Sequence, residues 1–372
     1  MIRFSQPYLF GQELVNLKQA VSDGRLAGNG DFTKKCHQFF QDKYGFSKVL
    51  LTTSCTDALE MSAILMDLKD GDEVIMPSYT FVSTANAFVL RGCKIVFADS
   101  EPLHPNMDVL KIESLITKKT KAIVAVHYGG VSCDMDALQR IASENDLYLV
   151  EDAAQAIESY YKGRPLGSFG DLATFSFHET KNVVSGEGGL LVINNAKFLD
   201  RSEIIWEKGT NRSEFFRGDV DKYGWVDIGS SFLPSELIAA YLYGQLQNID
   251  AIQFERIRIW NYYFNRLSNL KGDFELPKIH QDATNNAHVF HLVCASSNDR
   301  KSLLDAFKQA DIGAVFHYLS LHKSEFYGDK HDGRELLNAD RFSDCLVRLP
   351  LHLHLSDQNL DLICETIETF YS

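Results

Sequence analysis

Leu147-Tyr148-Leu149-Val150-Glu151-Asp152-Ala153-Ala154-Gln155 is an apolar run that stops at two carboxylates and then turns to small residues. Continuous apolar content of this length predicts a strand covered on both faces, and such strands belong to parallel sheets. In open α/β sheets ligands gather beyond the carboxyl ends of the strands. Asp152 and Gln155 fall there. A plainer role for Asp152, capping a following helix, fits the local sequence equally well.

Similar runs lie on both sides of this stretch, at Lys48–Thr52, Glu73–Met76, Lys94–Ala98, Ala122–His127, Ala173–Phe177 and Gly189–Ile193. Segments with helical spacing, Asp57–Leu68, Ser83–Leu90 and Met135–Glu144, separate most of them. Seven strands with helical crossovers predict an α/β fold with a mostly parallel seven-stranded sheet between helices. From about Phe232 the pattern changes. A long helix is predicted over Pro234–Leu267, then a mixed region after Lys271-Gly272-Asp273, then an amphipathic helix over Asp357–Phe370. The reading is a large domain, residues 1–245, and a smaller C-terminal α+β domain, residues 246–372. The length of 372 residues suits about two domains at ~150 residues each.

Composition narrows the function. Apolar residues make up 45% and charged residues 23%, as in soluble globular proteins and unlike disordered or fibrous chains. Thirty-seven Lys and Arg against 50 Asp and Glu leave a net charge of −13, which argues against a general nucleic-acid binder. A site for a small anion needs only a few local donors and stays open. No run approaches the ~18 apolar residues of a membrane helix, and Met1–Pro7 has no signal-peptide pattern. The seven cysteines are odd in number and lack a Cys-x-x-Cys pair, so reduced cytoplasmic thiols are expected, with no disulfide framework and no metal site.

Three further stretches carry chemistry. Thr52-Thr53-Ser54-Cys55-Thr56-Asp57 leads a strand into hydroxyl residues that open a helix. Exposed amides at a helix start, with Ser and Thr hydroxyls, can cradle a phosphate, although a plain Ser cap has the same sequence. Phe175-Ser176-Phe177-His178-Glu179-Thr180-Lys181 leads a strand into a polar turn with one lysine, and Ser185-Gly186-Glu187-Gly188-Gly189 follows. A lone lysine is ordinarily solvated surface. A desolvated one has a lowered pKa and can form a Schiff base with a carbonyl. A phosphate cradle, a carboxylate and such a lysine together suit pyridoxal phosphate.

These stretches, with Pro77-Ser78-Tyr79-Thr80-Phe81, occur in the order found in the DegT/DnrJ/EryC1/StrS family of sugar aminotransferases. The resemblance covers essentially the whole chain and implies the fold-type I aspartate aminotransferase architecture. By that resemblance Lys181 holds pyridoxal 5'-phosphate and moves the proton, and Asp152 pairs with the pyridinium nitrogen. Gln155 meets the ring hydroxyl and Phe81 stacks on the ring, while Cys55, Thr56 and Ser176 hold the phosphate. Many members place an Asn from the neighbouring subunit on that phosphate; here Ser231 stands at its place, in Gly229-Ser230-Ser231-Phe232.

The resemblance further implies a homodimer with shared active sites. It makes Arg212, in the basic stretch Gly209–Trp225, the first candidate for substrate contact, with His178, His317 and Tyr318 beside the sugar nucleotide. The stretch itself reads as neither helix nor strand. Gly71–Gly92 and Glu207–Ser213 are most similar to a member that uses L-glutamate to aminate C4 of dTDP-4-keto-6-deoxy-D-glucose, giving dTDP-4-amino-4,6-dideoxy-D-galactose. A glucose-configured product, a 3-amino product, a dehydratase (where the family replaces the lysine by His) and a non-catalytic regulator are the alternatives. Cys55 reads better as a small filler than as a redox thiol, and Glu187 as support for its loop. His352 and His354 alternate as on a strand face, without a third metal ligand.

Overall fold

The computed structural model describes all 372 residues. Its strands in chain order are β1 Lys48–Thr52, β2 Glu73–Pro77, β3 Lys94–Ala98, β4 Thr120–Val126, β5 Tyr148–Asp152, β6 Tyr160–Tyr161, β7 Arg164–Pro165, β8 Leu172–Ser176, β9 Gly189–Ile193, β10 Phe274–Glu275, β11 Phe290–Cys294, β12 Val315–Phe316 and β13 Leu346–Leu349. A seven-stranded sheet runs β1-β9-β8-β5-β4-β2-β3, with only β9 reversed. The seven apolar runs all became its strands, shifted by at most two residues. Ala122–Val126 is buried throughout, as both-face coverage requires. Helices start where side chains satisfy their first amides: Ser54 accepts from Asp57, and Asp134 from Ala137.

A second sheet, β10-β11-β13-β12, lies beyond residue 246 and carries its own apolar core, including Ile259, Phe290, Leu349 and Ile363. The single helix predicted over Pro234–Leu267 is instead two, Glu236–Leu246 and Ile249–Leu267, parted at Gln247-Asn248. Apolar spacing carries across that break, and a pattern of burial alone does not register a change of axis. Gly209–Trp225 also departs from the reading. It contains a short helix, Arg212–Arg217, closed by Gly218 at φ 82°. With no residue of that helix buried, there was no apolar face to betray it.

The N-terminal segment straps the two parts together. Ile2 pairs with Ile312, the Arg3 carbonyl accepts from His352 at 2.9 Å, and the Pro7 carbonyl accepts from His354 at 3.1 Å. The strand face expected for these histidines is a turn, since β13 ends at Leu349. Their alternation serves two carbonyls of the strap. No helix is long and apolar enough to cross a membrane.

Candidate active site

The carboxyl ends of β1, β5 and β8 open into a cavity of about 720 Å³. Asp152 ends β5 and is buried. Its Oδ2 accepts from the Thr84 hydroxyl at 2.7 Å, and its Oδ1 accepts from the Ala154 amide at 3.2 Å. Thr84 in turn shares a hydrogen bond of 2.9 Å with Thr80. No helix follows Asp152, so the capping alternative falls away. No cation lies within 4 Å of this carboxylate, although buried charges are normally paired.

Lys181 lies in the turn between β8 and β9, half-buried and lining the same cavity, and it too has no ionic partner within 4 Å. Burial lowers its pKa below the ordinary lysine value; Cys55 and Asp152 oppose that shift, and the Arg348 charge adds to it. His288, on the cavity wall, is hydrogen-bonded to Asn182 at 2.9 Å. Burial and the Lys181 charge keep it well below the usual histidine pKa, so it is neutral.

The helix Cys55–Leu65 begins at the cavity with Ser54 as its cap. Gly189 of β9 lies against this start. A Cβ there would fall inside van der Waals contact with the Cys55 amide nitrogen and the Ser54 carbonyl, so only glycine permits the approach. Thr56 donates to the Ser83 hydroxyl at 2.8 Å, and Ser176 lines the same region. This cradle of amides and hydroxyls fits a phosphate. Beside it, Asp152 fits a protonated ring nitrogen and Lys181 a carbonyl carbon. The residues present therefore fit pyridoxal phosphate. The Cys55 thiol, pushed far up by burial and then by Asp152, is not a thiolate and does not suit redox chemistry.

Gln155 is fixed at both ends: its Oε1 accepts from the Gly129 amide at 2.6 Å, and its Nε2 donates to the Tyr318 hydroxyl at 2.7 Å. Tyr318 stacks on His317 at 3.7 Å between centroids, and His317 bonds the Tyr128 hydroxyl at 2.6 Å. Phe81 is 55% exposed, with its ring 6.0 Å from Tyr318. His178 reaches Thr180 at 3.0 Å and approaches Glu187 at 3.7 Å.

Of the residues read from the sequence, Cys55, Thr56, Phe81, Asp152, Gln155, Ser176, His178, Lys181, His317 and Tyr318 line the cavity; Arg212 and Ser231 do not. Arg212 sits over Phe216 and approaches Glu207 at 3.8 Å, while Ser231 is exposed and bridges to Glu207. Within one chain neither reaches the site. The sequence reading also missed several wall residues, chiefly Thr84, Arg256 and Arg348. Arg256 is buried, with its pKa lowered to about 9 by burial, and donates to the Ala287 and His288 carbonyls at 3.0 and 2.8 Å. Arg348 left one signal, a lone charge inside the apolar run Leu346-Val347-Arg348-Leu349.

Known proteins match this chain over nearly its full length. The profile of the DegT/DnrJ/EryC1/StrS aminotransferase family matches residues 9–368. GDP-perosamine synthase of Escherichia coli O157:H7 is 29% identical, over 99% of this chain and 98% of the relative. The aminotransferase TlmJ from Streptoalloteichus hindustanus superposes with a TM-score of 0.92 at 28% identity, covering 100% of this chain and 98% of that one. The sugar aminotransferase Spr1654 from Streptococcus pneumoniae, solved in its pyridoxal-phosphate form, gives 0.90 at 25% identity, covering 99% and 98%. With the cradle, the carboxylate and the lysine in one cavity of this architecture, the chain belongs to the DegT/DnrJ/EryC1/StrS aminotransferase family and is a pyridoxal-phosphate-dependent sugar aminotransferase.

Proposed function

We propose that the protein moves an amino group from L-glutamate to C4 of dTDP-4-keto-6-deoxy-D-glucose, giving dTDP-4-amino-4,6-dideoxy-D-galactose. The observation that carries the transaminase reading is the pair Asp152 and Lys181, opposite charges in one cavity, neither with an ionic partner. The sugar is supported by the similarity of Gly71–Gly92 and Glu207–Ser213 to dTDP-4-amino-4,6-dideoxygalactose transaminase. A relative named for a nucleotide-linked product, GDP-perosamine, points to the same class of acceptor.

Pyridoxal phosphate, when bound, supplies the electron sink that lets a C–H bond beside nitrogen break and re-form. The chain's part is to hold, orient and move protons. Cys55 and Thr56 amides, with the Ser176 hydroxyl, hold the phosphate. Asp152, aimed by Thr84, keeps the ring nitrogen protonated. Gln155, aimed by Gly129 and Tyr318, faces the ring hydroxyl, and Phe81 covers the ring. Lys181 Nζ would anchor the cofactor and would carry the proton to and from the reacting carbon. Its lowered pKa suits both tasks, because only the neutral amine attacks or accepts a proton. His178, His317 and Tyr318 face the sugar nucleotide.

We also propose a homodimer that completes each site with the partner's Arg212 and Ser231. Both lie outside the chain's own cavity, and Trp225, Val226 and Ile228 of the same region are exposed. A division into domains at residues 245/246 is supported by the second sheet and its core lying beyond that point. The test is product analysis. Glutamate plus dTDP-4-keto-6-deoxy-D-glucose should give one 4-amino sugar of galacto configuration by mass and NMR. A gluco or 3-amino product refutes the proposed sugar. Borohydride reduction and peptide mapping should place the cofactor on Lys181, and a label elsewhere refutes that assignment.

A further inference from the structure

His288 is held on every side but one. Its Nδ1 lies 2.9 Å from Asn182 Oδ1. Asn182 Nδ2 donates to the Asn286 carbonyl at 2.9 Å, so the atom facing His288 is the amide oxygen, which only accepts. The proton of the neutral ring therefore sits on Nδ1, and Nε2 carries a lone pair. His288 is 6% exposed and lines the cavity, yet its Nε2 has no hydrogen-bond partner in the chain and is not sealed off.

The frame behind the ring is saturated. Asn286 is fully buried and directs both amide hydrogens at the Gln155 and Ile157 carbonyls, at 2.7 and 2.8 Å. Its Oδ1 accepts from the His288 amide at 3.0 Å, and its carbonyl accepts from Gln253 at 2.8 Å. Arg256 holds the carbonyls of Ala287 and His288. Between them Ala287 takes φ 52°, in the left-handed region that residues with a Cβ seldom adopt. Such strain persists where the surroundings over-determine it, and those places cluster at ligand sites. Here the result is one acceptor atom, fixed in direction and left open.

The chemistry of that atom selects its partner. Phosphate, diphosphate and carboxylate groups are anionic and offer it only lone pairs. The donor's amino nitrogen is engaged at the reacting centre. Sugar hydroxyls remain, and they can donate. Asn182 follows Lys181 directly, so His288 stands one hydrogen bond and one peptide link from the lysine that serves the reacting carbon. Beside its keto carbon, C4, the proposed sugar carries a hydroxyl on C3; on the other side, C5 bears only the methyl group and the ring oxygen.

We propose that His288 Nε2 accepts a hydrogen bond from the C3 hydroxyl of the sugar and so selects acceptors that carry one. The inference rests on the sugar proposed above and deepens that reading by naming the residue that recognises the carbon next to the reacting one.

The test uses the cofactor-loaded protein and its His288→Asn and His288→Gln variants. Asparagine can place its Nδ2 where His288 has Nδ1, which keeps the bond to Asn182 and removes the cavity acceptor. Glutamine can return an acceptor oxygen near the place of Nε2. Calorimetry gives the Kd of dTDP-4-amino-4,6-dideoxy-D-galactose and of its 3-deoxy counterpart, and their ratio is the preference for the hydroxyl. Loss of one neutral hydrogen bond should make that preference about 3- to 10-fold smaller in His288→Asn than in the parent, with partial recovery in His288→Gln. Equal weakening of both sugars, with the ratio unchanged, overturns this inference alone and leaves His288 a part of the frame. Binding of neither sugar by the parent refutes the proposed sugar and this inference together.

Discussion

Asp152→Asn separates the charge of this residue from its shape. The carboxylate is buried and touches a hydroxyl and an amide. Asparagine can keep both contacts, because its oxygen accepts from the Ala154 amide and its nitrogen donates to the Thr84 hydroxyl. Thr84 then donates to Thr80 instead, a reversal that their shared hydrogen bond permits. The fold should therefore survive, with a melting temperature within a few degrees of the parent. What is lost is the negative charge beside the ring nitrogen. An opposite charge at ~4–6 Å moves a pKa by about 1–3 units, each worth about 1.4 kcal/mol. The electron sink should weaken by about 1.4–4 kcal/mol, a 10- to 1000-fold fall in the single-turnover rate with glutamate. Thr84→Val, which leaves the charge but not its aim, should cost less than Asp152→Asn. A near-wild-type rate for Asp152→Asn would refute the role given to the carboxylate. So would an equal loss in Thr84→Val, which would make orientation the whole effect.

Other outcomes follow from the same geometry. Burial favours the neutral amine of Lys181, so in cofactor-stripped protein dilute acetic anhydride should label it at lower pH than the exposed lysines; mass spectrometry across about pH 7–10 reads the order, and co-titration with them refutes the shift. Glu151→Ala should lower stability by about 3–5 kcal/mol in thermal melts, because it strands His127 and the amides of Gly167, Phe169 and Gly170. Burial raises the Glu151 pKa, but hydrogen bonds from His127 and these amides outweigh it and leave the folded value below 4.5. The Glu151 contribution should hold above that pH and disappear as pH falls through the lowered value, seen as convergence of the parent and Glu151→Ala melting curves in acid. Mixing inactive Lys181→Ala and Arg212→Ala chains should restore about a quarter of the parent activity, since half the dimers are hybrids with one intact site. No recovery after verified subunit exchange would refute sharing through Arg212.

The large sheet was legible because every strand in it is covered on both faces, and such burial writes itself as an unbroken apolar run. Ala122–Val126 shows this most plainly. Lys181, Asp152 and Cys55 could be read for a related reason: each stands at the end of a strand or within a few residues of it, where the apolar run stops. Thr84 could not, because a threonine in a short helix of small and apolar residues looks like any other, and only the fold brings it 2.7 Å from Asp152. Arg256 lies in a helix with four other charged residues, where a buried cation and a solvated one look alike. The wall contributed from beyond residue 246 depends on contacts across the whole chain, which no local pattern encodes.

The strap has a consequence for the order of events during synthesis. Phe4 and Arg348 face one another in the cavity wall, yet they are 344 positions apart in the chain, and Arg3 waits slightly longer for His352. At ~5–20 residues per second, the ribosome delivers the second partner roughly 17–70 s after the first. The sheet that ends in Asp152 and Lys181 can close long before then, since its last strand is complete at Ile193. A nascent chain therefore displays its lysine in a half-built bowl, and the residues from Arg256 to Leu351 later add the rest of its wall.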